Sequence, residues 1–144
     1  MQVTLAQSPS QIRDCFPVIH QLRPHLNEET FLAQATRQMQ NHGYQLAYIS
    51  QDGIVLAAAG YRIAEFLAWG KILYVDDLIT LESEREKGCA GILMDWLADQ
   101  ARSLGCAQIH LDSGVQRFNA HRLYLKKRMD ITGHHFARNI LSRD

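Results

Sequence analysis

A chain of 144 residues, 47% of them apolar, is long enough for one domain with a real hydrophobic core and too short for a larger architecture. Fifteen basic side chains balance fifteen acidic ones and the pI lies near 7.1, which removes the global electrostatic case for a nucleic-acid partner. No run approaches a membrane span and Met1 to Asp14 holds no apolar core of signal-peptide length, so a cytoplasmic location without membrane attachment is expected. Cys15, Cys89 and Cys106 are odd in number and lack paired metal spacing, which predicts buried thiols in place of disulfides or zinc ligands.

Val3 to Ala6 is a short strand signal. Ser8-Pro9-Ser10 then opens a helix through about Leu22, with a serine cap and a proline in the first turn, and Pro24 ends it. Asn27 to Glu29 caps a second helix, with Phe31, Leu32, Ala35 and Met39 on one face, which closes at Asn41-His42-Gly43. Tyr44 to Ile49 and Ile54 to Ile63, joined by the turn Gln51-Asp52-Gly53, read as an antiparallel hairpin, and Glu65 to Gly70 as a connecting loop. Ile72 to Leu81 is an apolar strand interrupted by the acid pair Asp76 and Asp77. Unpartnered carboxylates in a buried strand are costly, so at least one should face a cleft, a cation or water. After the polar bend Glu82 to Lys87 and Gly88, apolar residues recur with helical spacing at Cys89, Ile92, Leu93, Trp96, Leu97 and Leu104, and Gly105 is a natural stop. Ala107 to Leu111 is another strand, Gln116 to Lys127 a helix, and Ile131 to Leu141 a final strand.

The run Arg85-Glu86-Lys87-Gly88-Cys89-Ala90-Gly91 delivers a helix N-terminus close to the end of a strand. The first N–H groups of a helix lack intrahelical partners and carry partial positive charge, so such a terminus suits an anion. Gly88 and the small Ala90 and Gly91 let a bulky anion approach the backbone, and Arg85 and Lys87 add fixed charge. Neither GxxxxGK nor GxGxxG is present, so a nucleoside triphosphate loop and a dinucleotide loop are both excluded. On spacing alone, an ordinary strand-to-helix turn with solvated charges is the better explanation of the run.

Two short motifs supply more. RxxGxA, met by Arg85, Gly88 and Ala90, resembles the acyl-CoA pyrophosphate loop of the GNAT superfamily of N-acetyltransferases. Ala120-His121-Arg122-Leu123-Tyr124-Leu125-Lys126-Lys127 resembles that family's helix in which a tyrosine follows a small residue by four and opens a YxK run. The predicted order βααβββαβαβ matches the family's α/β fold, a mixed sheet with helices on both faces, as one domain over residues 1–144.

The resemblance implies direct transfer of an acetyl group from acetyl-CoA to a primary amine, without a metal. It assigns the cofactor phosphates to the backbone of Gly88, Cys89, Ala90 and Gly91 with Arg85 and Lys87 beside them. It lays the pantetheine arm along Leu78, Ile79 and Thr80 as an added strand would pair, where a backbone N–H could polarise the thioester carbonyl. Tyr124 becomes the general acid for the departing thiolate, since a phenol with a free pKa near ~10 is protonated at neutral pH. Without the family match, Tyr124 is a tyrosine packing through its ring. Asp76 or Asp77 becomes the group that attracts the ammonium and relays its proton, through water. Adjacent strand residues face opposite sides, so only one of the two can reach a given cleft unless a bulge intervenes. The competing reading pairs an aspartate structurally with an arginine such as Arg62.

Departures from the family pattern are specific. An asparagine expected three residues before the small residue of the tyrosine helix is Arg117, and the glycine and aromatic that usually follow YxK are Arg128 and Met129. His20, Arg23 and His25 lie in the segment that in the family contributes to acceptor selection, and His110 with Asp112 would share a sheet face, lining the cleft or forming a core pair. His134 and His135 diverge along a strand and do not make a metal site. A small-molecule amine acceptor is the leading expectation. The alternatives are a protein or peptide acceptor, and a module that binds acyl-CoA without catalysis. An exposed final strand could pair with a second copy to give a homodimer.

Overall fold

The computed structural model describes residues 1–141. The chain divides after Leu111 into two compact units.

The first unit holds a five-stranded sheet in the order β1-β2-β3-β4-β5, namely Val3–Leu5, Gln45–Gln51, Ile54–Phe66, Gly70–Thr80 and Gln108–Leu111. The first four strands are antiparallel neighbours and β5 pairs parallel to β4, so the sheet is mixed as expected. The β2–β3 hairpin closes on Asp52 and Gly53, both at positive φ (52° and 79°), the type I′ geometry that follows the strand twist and favours an Asp-Gly pair. The loop expected from Glu65 to Gly70 is shorter, because β3 and β4 keep pairing out to Phe66 and Gly70.

The single helix expected to run through Leu22 is two, α1 (Pro9–Asp14) and α2 (Phe16–Leu22), meeting at Cys15. Pro17 is the cause: it has no N–H to continue α1 and instead occupies the first turn of α2. α3 (Glu28–Asn41) begins with a capping box in which the Asn27 side chain accepts from the Thr30 amide at 2.8 Å. These helices cover one sheet face, where Ile12, Cys15, Val18, Ile19, Phe31 and Ala35 bury against Leu46, Tyr48, Ala58 and Ile79. α4 (Cys89–Ser103) packs on β2, β3, β4 and β5, with Trp96 edge-on to Tyr61, and ends at Gly105 (φ 75°) as the sequence predicts. Cys15 and Cys89 are buried free thiols; burial, then the charge of Asp14, pushes Cys15 up to about 12.

The second unit contains α5 (Phe118–Lys126) followed by extended chain. α5 ends in paired bonds from the amides of Arg128 and Met129 to the carbonyls of Leu125 and Tyr124, both 3.0 Å, with Arg128 at φ 66°. Arg128 thus takes a left-handed conformation that suits the glycine usual at this point in the family. The final strand expected from Ile131 to Leu141 does not form, and Ile131, Phe136, Ile140 and Leu141 are 79 to 92% exposed.

Candidate active site

β4 carries the organising irregularity. Gly60 pairs with Asp77 and Tyr61 with Val75, which leaves Asp76 as an extra residue in β4. A bulge of this kind bends its strand and turns two successive side chains toward one side. Asp76 and Asp77 both line the same cavity, of about 420 Å³, as the bulge exception allowed. The bulge has a second effect on the edge. Pairing with β5 stops at Val75–Leu111 while β4 continues to Thr80, so residues 76–80 have no strand against that edge among the described residues. Leu78, Ile79 and Thr80 lie on this stretch.

The cavity is lined by α2, α3 and the segment after α2 on one side and by β4 on the other. Ile19, Leu26, Phe31 and Ala35 form an apolar wall, and Arg23, Tyr44, Tyr74, Asp76 and Asp77 a polar floor. Each carboxylate has a guanidinium. Arg62 donates from Nε to Asp76 Oδ1 at 3.0 Å and from Nη2 to Oδ2, the fork that the competing sequence reading anticipated. Arg23 donates from Nε to Asp77 Oδ1 at 3.0 Å and from Nη2 to the Asp76 carbonyl at 3.1 Å. The Tyr44 hydroxyl donates to Asp77 Oδ2 at 2.9 Å, and burial followed by the Asp77 charge pushes that phenol well above its ordinary range.

Tyr44 and Gly60 were not legible as site residues. A Cβ on Gly60 would meet the Tyr44 hydroxyl oxygen at 2.0 Å, so this strand glycine exists to let the ring lie flat over β3 and reach Asp77. A glycine inside a strand was the available signal.

The turn before α4 is the second feature. Glu86 and Gly88 are both left-handed (φ 68° and 89°), and Gly88 caps α4 without any side-chain hydrogen bond. The N–H groups of Cys89, Ala90 and Gly91 therefore open the helix without intrahelical partners. Arg85 and Lys87 are exposed beside them; Lys87 Nζ pairs with Glu84 Oε2 at 2.9 Å, whereas Arg85 has no ion pair among the described residues.

In the second unit Tyr124 is 8% exposed on α5. Burial raises its phenol above the ordinary value, against the charge and hydrogen bond of Arg117. Asp112 pairs with His135 at 3.3 Å in that unit, and in the first His110 stacks on Trp69 at 4.1 Å, so neither serves the cavity floor. Among the described residues no group of three or more His, Cys, Asp or Glu could hold a metal ion, and no helix is long and apolar enough to cross a membrane.

Comparison with known proteins identifies the family. The model of the acetyltransferase (GNAT) family matches residues 10–129. The uncharacterized N-acetyltransferase YhdJ of Bacillus subtilis (strain 168) is 31% identical over 120 residues, covering 83% of this chain and 84% of that protein. The class is that of acetyl-CoA-dependent acyltransferases. The chain belongs to the GNAT acetyltransferase family, as the RxxGxA loop and the tyrosine helix implied. A ribosomal-protein-alanine N-acetyltransferase from Brucella melitensis biovar Abortus 2308 shares the fold with a TM-score of 0.82 at 15% identity, over 97% of this chain and all (100%) of that one. The aminoglycoside N-acetyltransferase AAC(6')-Iy, solved with CoA, does so with a TM-score of 0.82 at 15% identity, over 97% of this chain and 96% of that one.

Proposed function

We propose that this enzyme transfers an acetyl group from acetyl-CoA to the primary amine of a small molecule by direct attack. The observation that carries the reading is the bulge in β4, beyond which the strand edge is free and at which two successive carboxylates line one cavity. A cavity of about 420 Å³ falls within the range of small-ligand sites, which favours a small acceptor over an extended peptide.

The backbone N–H groups of Cys89, Ala90 and Gly91 hold the pyrophosphate, Gly88 lets it approach, and Arg85 and Lys87 add charge; for Lys87 this means exchanging Glu84 for a phosphate. The free edge at Leu78, Ile79 and Thr80 pairs with the pantetheine arm, and a backbone N–H there receives the thioester carbonyl as it becomes an oxyanion. Asp77 is the better placed of the two acids. Both oxygens of Asp76 are held by the Arg62 guanidinium, whereas Asp77 gives only Oδ1 to a guanidinium, that of Arg23, and its Oδ2 accepts from the neutral Tyr44 hydroxyl, so Oδ2 is the oxygen for a water that takes the amine proton. The amine nitrogen bonds to the acetyl carbon, the carbon–sulfur bond breaks, and Tyr124 gives the thiolate its proton.

The test is release of free thiol from acetyl-CoA against polyamines, amino acids, aminoglycosides and peptides, with acetyl-CoA affinity measured in parallel. Turnover of a small amine supports the reading. Tight acetyl-CoA binding with silence across the whole panel overturns it in favour of a binding module.

A further inference from the structure

The cavity's charge is balanced before any acceptor enters. Asp76 is matched by Arg62 and Asp77 by Arg23, so the four groups sum to zero. An amine bearing several positive charges would find no surplus of carboxylate to pair them. A group with one positive and one negative charge would fit a neutral floor without leaving either unpaired.

The floor also presents a spare cationic donor. Arg23 spends Nε and Nη2 on Asp77 and the Asp76 carbonyl, while its Nη1 makes no hydrogen bond or ion pair among the described residues and its side chain is 42% exposed. His25 stands exposed on the same lining. Ile19, Leu26, Phe31 and Ala35 give the same lining an aliphatic and aromatic portion with no charge. Gln34 donates from Nε2 to Gln38 Oε1 at 3.0 Å, and both line the cavity.

Resting on the acetyltransferase reading above, we propose that the acceptor is a small amino acid with an apolar side chain, whose carboxylate is received by Arg23 and His25 while its amine meets Asp77. Arg23 is then the specificity-determining residue. Guanidinium matches a carboxylate in geometry as well as charge, and its remaining N–H groups are preorganised by the bonds to Asp77.

The experiment compares leucine and phenylalanine with isoamylamine and phenylethylamine, which lack only the carboxylate, and with spermidine, at equal concentrations of unprotonated amine. Free thiol release gives kcat and KM for each in the wild type, Arg23→Gln and Arg23→Lys. One charge-assisted hydrogen bond corresponds to a kcat/KM advantage of roughly tenfold or more for the amino acids over their decarboxylated counterparts. Arg23→Gln should erase that advantage through KM, and Arg23→Lys should restore part of it. Equal or better turnover of the decarboxylated amines or of spermidine by the wild type overturns the inference while leaving acetyl transfer intact. So does an Arg23→Gln loss that is the same with and without the carboxylate, since Arg23 would then only order Asp77. Silence with every amine overturns this inference and the acetyltransferase reading together. Should Arg23→Gln fail to fold, the wild-type comparison alone decides.

Discussion

The turn before α4 and the floor of the cavity on β4 both gather charge, but from different distances along the chain. The turn uses neighbours, residues 85–91, and what it presents is the row of backbone N–H groups that opens α4 after two left-handed residues. The floor joins Arg23 to Asp77 across 54 positions, Tyr44 to Asp77 across 33 and Arg62 to Asp76 across 14. A backbone site of this kind depends on local conformation and tolerates changes elsewhere. A side-chain site depends on packing, so a residue that touches no ligand, such as Gly60, can abolish it.

That contrast can be broken or sharpened by substitution. The largest effect belongs to the proposed acid. Tyr124→Phe should lower kcat by roughly 10² to 10⁴-fold, the usual range for a general acid, with acetyl-CoA affinity nearly unchanged. Because burial holds the phenol above its ordinary value, any alkaline limb due to Tyr124 should lie above pH 10.0 in a rate profile.

Gly60→Ala comes next and tests the packing side. The added methyl would collide with Tyr44, so calorimetric or denaturant unfolding should show a loss of about 1 to 3 kcal/mol, together with a raised KM for the amine. The pH dependence has a definite sign. Tyr44 keeps its proton in the folded state above the value of 10.0 at which the unfolded phenol ionises. Its contribution is therefore complete below pH 10 and is lost as pH rises toward the folded value. Gly60→Ala, by expelling the ring, should flatten that alkaline decline.

Gly88→Ala tests the backbone side. No neighbour lies within 4 Å of the new Cβ, so only the left-handed φ of 89° resists it, at about 1 kcal/mol. The loss should appear as roughly tenfold weaker acetyl-CoA binding or as lowered stability, with amine KM unmoved. Arg128→Gly is the smallest change and has the opposite sign. Relieving φ 66° at the end of α5 should stabilise the chain by a few tenths to about 1 kcal/mol.

The same contrast decides how much was legible beforehand. The turn could be read because glycine, small residues and the following helical periodicity are consecutive, and the family motif falls on them. The Asp-Gly hairpin and the stop at Gly105 were legible for the same local reason. The floor was legible only in part. Asp76, Asp77 and the Arg62 partner could be named, but the bulge that puts both acids on one side follows from pairing with β3, which no run of residues announces. Tyr44 looked like the first residue of a strand, and its role depends on an unoccupied Cβ position sixteen residues later at Gly60.

The most direct measurement pairs Asp77→Asn with Gly88→Ala and their double variant, reading acetyl-CoA affinity and amine kcat/KM at saturating acetyl-CoA. Asp77→Asn should cost roughly 10² to 10³-fold in kcat/KM with unchanged acetyl-CoA affinity, and in the double variant each loss should equal that of its single parent. An Asp77→Asn enzyme that acetylates amines at the wild-type rate, or one that has lost acetyl-CoA, would contradict the separation of an acceptor floor on β4 from a donor site at α4.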